Sequence, residues 1–164
     1  MGFPDQPLRG SVADYIVEAI GSGRGASQVR IESLTDLPLI SIVDDDEEVR
    51  TAIESLVMSL GLEARTYASA ESFLQSSSLS ETACLILDVQ MPTMNGVELH
   101  TRLSELGLDI PIIFITAYPD KVDRALALND GIICMLLHKP FNEERLVEGI
   151  EEALKRRRGS TPAV

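Results

Sequence analysis

The chain has 164 residues, 45% of them apolar, enough for one domain whose core needs no disulfide or metal staple. Its 14 basic and 26 acidic side chains leave a net charge of -12, which argues against a protein built to grip phosphate backbones. Cys84 and Cys134 both lie in apolar runs and read as reduced core thiols of a cytoplasmic protein. No apolar run reaches membrane-spanning length, and the first thirty residues lack the basic start and apolar core of a secretory signal.

In chain order, residues 1–36 form a polar leader. It carries a short amphipathic stretch near 12–20 (Val12, Tyr15, Ile16 and Ala19 on one face) and then a Gly/Ser-rich linker from Gly21 to Ser27. Too short to persist alone, that stretch is expected to be flexible. The domain proper is expected over 37–158, followed by a disordered tail at 159–164. Within it, Leu39–Val43, Ala83–Leu87, Ile110–Ile115 and Ile132–Leu137 read as strands apolar on both faces. The more polar Glu63–Tyr67 suits a sheet edge. Amphipathic segments alternate with them: one carrying Val49, Ile53, Leu56, Val57 and Leu60 and ended by Gly61, then 70–76, 96–106, 121–128 and 143–157. Five strand-helix alternations predict a doubly wound α/β domain with a parallel sheet and helices on both faces.

Open parallel sheets bind ligands at the carboxyl ends of their strands. The first strand ends in Asp44-Asp45-Asp46, the third in Asp88, the fourth in Thr116 and the fifth in Lys139-Pro140. Taken singly, each has a bland account: the Asp run as a helix cap, with Asp45 and Glu48 at capping-box spacing, Asp88 as a turn residue, Thr116 as a cap, Lys139 as a solvated charge. Their conjunction weighs differently. Carboxylates 4 Å apart repel by about 4 kcal/mol per pair at an effective dielectric near 20. A fold that gathers them implies a hard cation, and Mg²⁺ or Mn²⁺ suits a few carboxylates with water and phosphate oxygens. Lys139 and Thr116 then look placed for phosphoryl oxygens.

The runs Ile42-Val43-Asp44-Asp45-Asp46-Glu47-Glu48-Val49-Arg50, Leu87-Asp88-Val89-Gln90-Met91-Pro92-Thr93-Met94-Asn95-Gly96, Ile115-Thr116-Ala117 and Lys139-Pro140-Phe141 resemble the receiver domain of two-component response regulators. The resemblance implies a five-stranded sheet of order 2-1-3-4-5, as in chemotaxis regulators of this family. It also implies phosphoryl transfer from a sensor histidine kinase, or a phosphotransfer protein, to Asp88 as nucleophile. By the same likeness Asp45 ligates the metal directly, Asp44 acts through water, and the backbone carbonyl of Gln90 is a further ligand. Lys139, behind a cis Lys-Pro bond, holds a phosphoryl oxygen, and Thr116 moves to report the phosphate. The family's spacing to Arg50 selects Asp44 and Asp45 as the acidic pair and leaves Asp46 as the helix cap.

Two departures stand out. One residue more than the family pattern lies between Gly131 and Lys139, and Met135 and Leu136 occupy the region of the usual switch aromatic. Tyr118, two after Thr116, sits where the family tunes phosphate lifetime. His100 reads as exposed and His138 as a surface neighbour of Lys139, neither a metal ligand. The basic run from Lys155 to Arg158 reads as a last helical turn matched to the helix dipole.

The reading that follows is a stand-alone receiver. It assists its own phosphorylation and dephosphorylation without being an enzyme on an outside substrate. It signals to a protein target, or dimerises, through the face of the fourth amphipathic segment, fifth strand and last helix, with no nucleic acid or membrane partner. The alternatives are a Mg²⁺-dependent phosphohydrolase with an aspartyl nucleophile, which usually needs an acid where Gln90 stands, and a receiver-shaped scaffold that works without phosphorylation.

Overall fold

The computed structural model describes residues 37–122 and 131–159. The leader, most of the 121–128 segment and residues 160–164 lie outside these, as do the readings made of them. The fold belongs to the second of two units into which the chain divides, Pro38–Val164.

Five parallel strands stand in the order β2-β1-β3-β4-β5: β1 Leu39–Val43, β2 Glu63–Tyr67, β3 Thr82–Asp88, β4 Ile112–Thr116 and β5 Ile133–His138. This is the predicted sheet. β1, β3 and β4 are buried along their whole length, while β2 at the edge is half-buried and polar. The fourth strand starts at Ile112, two residues later than its apolar run. Pro111 has no N–H to give a ladder, although its carbonyl still accepts from Leu85 N–H at 2.9 Å.

The helices are α1 Glu47–Ser59, α2 Ala70–Leu74, α3 Gly96–Glu105 and α4 Glu143–Gly159. Each start has a local cause. The Asp46 carboxylate accepts from Glu48 and Val49 N–H, so Asp46 and not Asp45 is the cap of α1. Capping boxes start α2 (Ser69 with Ser72) and α3 (Asn95 with Glu98). α1 ends where Gly61 takes φ +77°, a left-handed value that glycine adopts without strain.

Helices cover both sheet faces, as alternation along β4 shows. The Phe114 ring meets His100 of α3 with centroids 6.3 Å apart, edge to face. Its neighbour Ile113 faces the other way, and a Cβ on Gly149 of α4 would lie 3.1 Å from its Cδ1. On the α3 side Val43, Leu85, Leu87, Ile112 and Phe114 pack with Phe73, Leu99 and Leu103 into one apolar cluster. The reading of His100 as exposed is thereby corrected. It is only 4% exposed, because its position on α3 points into this cluster rather than out of it.

The extra residue before Lys139 resolves into a register shift. Ile112 pairs with Ile133 but Ile113 pairs with Met135, so Cys134 is passed over and the strand bulges there. Beyond the bulge Phe114 pairs with Leu136 and Thr116 with His138. Arg156 of α4 donates to Gly131 and Ile133 carbonyls at 2.9 and 3.3 Å, on either side of the bulge's entry. The basic end of α4 thus engages the sheet as well as its own dipole. Cys84 is a buried thiol as read, and burial raises its pKa, but the bulge leaves Cys134 half-buried.

Candidate active site at the carboxyl edge of the sheet

β1 ends against Asp44, β3 in Asp88 and β4 in Thr116, while Lys139 follows β5. Parallel strands in adjacent register bring these ends to one edge of the sheet. Asp44, Asp45 and Asp88 there offer carboxylate oxygens that all lie within 4.8 Å of one another. Lys139 Nζ reaches Asp44 Oδ2 at 2.9 Å and Asp88 Oδ2 at 3.5 Å. Three carboxylates and the Lys139 ammonium thus lie together at this edge.

Their environments differ. Asp44 is 2% exposed and engaged at every polar atom. Its N–H donates to the Tyr67 carbonyl, its Oδ1 accepts from Asp46 N–H at 2.9 Å, its Oδ2 from Lys139, and its carbonyl from Arg50 Nη1 at 2.7 Å. Asp45 is exposed, and among the described residues no hydrogen bond engages its carboxylate. Asp88 is 5% exposed, with Oδ1 accepting from Gln90 N–H at 3.2 Å. Burial, reinforced by the Asp44 charge, pushes the Asp88 pKa up to about 6 against the pull of Lys139. Burial alone would lower the pKa of Lys139. Hydrogen bonding to Asp44 and the charges of Asp44 and Asp88 outweigh it, so the ammonium is held charged.

Three carboxylates facing one ammonium leave an excess of negative charge in a half-enclosed site. That donor set, all hard oxygens drawn from the end of β1 and the end of β3, fits a small divalent cation. Gln90 sits beside it with its N–H on Asp88. The Lys139-Pro140 bond is cis as expected, and Lys139 N–H donates to the Thr116 carbonyl at 2.8 Å, tying the ends of β4 and β5 together. Thr116 is fully buried, and its Oγ1 accepts from Tyr118 N–H at 3.0 Å. The Tyr118 ring is 57% exposed. Leu136 is half-buried and packs on the apolar cluster, two register positions from the Thr116 pair and outside the charged group.

Two contributors went unread in the sequence. Gly96 was read only as the end of the family run and the start of the 96–106 segment, yet a Cβ there would collide with the Asp88 carbonyl oxygen. The α3 start must pass that close for its N–H to donate to Val89. Arg50 served only as a spacing mark, and its bond to the Asp44 carbonyl needs the i, i+6 geometry of a strand running into a capped helix.

Comparison with known proteins agrees. The family model described as "Response regulator receiver domain" matches residues 40–151. The response regulator protein TodT of Pseudomonas putida is 39% identical over 146 residues, 87% of this chain and 64% of that protein. The transcriptional regulatory protein TdiR of Thauera aromatica is 36% identical over 115 residues, 70% of this chain and 50% of that protein. The chain therefore spans between half and two-thirds of the length of these relatives. A crystal structure of a response regulator receiver protein from Burkholderia phymatum superposes with a TM-score of 0.61 at 40% identity, covering 72% of this chain and 95% of that one. The chain belongs to the response regulator receiver domains, the signalling domains of two-component systems.

Proposed function

We propose that Asp88 accepts a phosphoryl group from a phosphohistidine on a sensor histidine kinase or a phosphotransfer protein. The carrying observation is the convergence of Asp44, Asp45 and Asp88 within 4.8 Å beside a lysine bonded to two of them. The ionised Asp88 carboxylate attacks phosphorus, the P–N bond breaks, and the imidazole leaves with the electron pair. Asp45, whose exposed carboxylate faces Asp88 across the cluster, and Asp88 would hold Mg²⁺ or Mn²⁺ directly. Asp44, already bonded at both oxygens, would act through water, and the Gln90 carbonyl would complete the protein's share. Bound there, the cation neutralises charge on the transferred group. Lys139 is placed to shift from Asp44 and Asp88 to a phosphoryl oxygen. Thr116 donates its hydroxyl to another and Tyr118 screens the site from water, with Leu136 transmitting the change along β5.

The output is a shifted equilibrium between surface conformations. In one reading the domain acts by itself in the cytoplasm on a protein target, or dimerises, through β5, α4 and the segment before β5. A second reading is favoured by the half-length match to TdiR, whose name is that of a transcriptional regulator: the receiver would control a DNA-binding partner segment. Among the described residues no helix is long and apolar enough to cross a membrane.

Intact-mass measurement with acetyl phosphate tests the chemistry. The expected result is a gain of one phosphate that requires a divalent cation and is lost in Asp88→Asn. Labelling that survives EDTA, or survives Asp88→Asn, would refute it. Repeated turnover of a phosphomonoester would point to a hydrolase instead.

A further inference from the structure

The peptide joining Asp44 to Asp45 is the backbone from which two of the three clustered carboxylates hang. Its oxygen accepts from Arg50 Nη1 at 2.7 Å. A peptide unit is planar, so fixing its oxygen fixes the directions in which both Cα atoms leave it. Arg50 reaches back from the second turn of α1, and the first turn is anchored independently. The Asp46 carboxylate caps the helix, Arg50 N–H donates to the Asp46 carbonyl at 3.0 Å, and Asp46 N–H pins Asp44 Oδ1 at 2.9 Å. The guanidinium is half-buried, and a bond from a charged donor is about twice as strong as one from a neutral donor.

We infer that Arg50 is a positioning residue of the acidic cradle: it holds the Asp44–Asp45 peptide so that both carboxylates face Asp88 before a cation arrives. This rests on the cation site proposed above. Charge and positioning pull in opposite directions here. A guanidinium near a cation site repels the cation, so charge alone makes its removal tighten binding. Positioning makes its removal loosen binding, because the cradle must then be ordered by the ion itself.

The experiment uses Mn²⁺ as the probe, with free ion read by electron paramagnetic resonance, on the full chain as wild type, Asp45→Asn, Arg50→Ala and Arg50→Lys. Asp45→Asn is expected to bind much more weakly than wild type, and Arg50→Ala about tenfold more weakly. Arg50→Lys should recover part of the loss, since an ammonium supplies a donor without the planar fork. In metal-free protein the Asp46 amide of Arg50→Ala should exchange faster with solvent, while amides in the middle of α4 keep their wild-type rates. Should Arg50→Ala fail to fold, Arg50→Gln, neutral and shorter, carries the same expectation. Affinity equal to or above wild type in the folded neutral variant, or a Lys variant weaker than Ala, overturns the assignment and leaves the cradle standing. Asp45→Asn binding as well as wild type removes the cradle and the Arg50 assignment with it.

Discussion

Replacing Asp88 by Asn tests the electrostatics of the site without any phosphate. Asp88 titrates near 6 in the folded protein, against 3.8 for an ordinary aspartate. The folded state therefore holds this proton more tightly than the unfolded state does. The associated stability is fully present below about pH 4 and is lost as pH rises through about 6. A difference of about 2 pKa units corresponds to about 3 kcal/mol, and Asp88 is buried enough that solvent screening takes little of it. Asn keeps the shape and cannot ionise, so the metal-free variant should gain on wild type by about 3 kcal/mol between pH 4 and pH 7.5. That corresponds to about 10 °C in Tm for a domain of this size. Urea unfolding of both proteins in EDTA across that range measures it, and taking the difference cancels the titration of carboxylates remote from Asp88. Adding Mg²⁺ at pH 7.5 should stabilise wild type and narrow the gap. A stability difference that is flat with pH would refute the reasoning, because the Asp88 carboxylate would then ionise at no cost to the fold.

Other substitutions probe the supports of the site. Gly96→Ala places a Cβ against the Asp88 carbonyl, so it should destabilise by about 1–3 kcal/mol and depress labelling of Asp88, read by urea unfolding and intact mass. Thr93 takes φ +70° in the loop after β3, a value unfavourable for a β-branched residue, and Thr93→Gly should raise stability by up to about 1 kcal/mol in the same unfolding assay. Lys139→Ala leaves two buried carboxylates without their ammonium. It should move the Asp88 titration upward, observable by carbon NMR of the side-chain carboxyl, and should lower metal-free stability most at high pH.

The sheet was legible because four of its five strands are apolar on both faces and its helices are not, so two periodicities separate along the chain. The site was legible for a related reason. In a parallel sheet all carboxyl ends share one edge, so noting which residue follows each apolar run amounts to listing the site. His100 lies with Leu99 and Leu103 on the buried face of α3, so the helical spacing did mark it, and only its polar identity argued for exposure. What else escaped depended on three-dimensional contact. The extra residue before Lys139 could be counted, yet only pairing with β4 assigns it to Cys134 and shows that the bulge delivers Leu136 and His138 opposite Phe114 and Thr116. Gly96 and Arg50 act through backbone atoms of other segments, which residue identity does not encode.

The carboxylates and the ammonium at this edge stand in an electrostatic compromise. Lys139 serves Asp44 at 2.9 Å and Asp88 at 3.5 Å, and the second, longer contact is too weak to bring the Asp88 pKa back to its ordinary value. Among the described residues no hydrogen bond engages the Asp45 carboxylate in that arrangement. Any ligand that brings positive charge to Asp45 and Asp88, or phosphoryl oxygens to Lys139, relieves a cost that folding has already imposed. Few contacts separate this edge from the rest of β5. Lys139 N–H is bonded to the Thr116 carbonyl, His138 pairs with Thr116, and Leu136 pairs with Phe114 in the apolar cluster. A displacement of the Lys139 side chain therefore acts on a strand that is less buried than β1, β3 or β4, which are buried along their whole length.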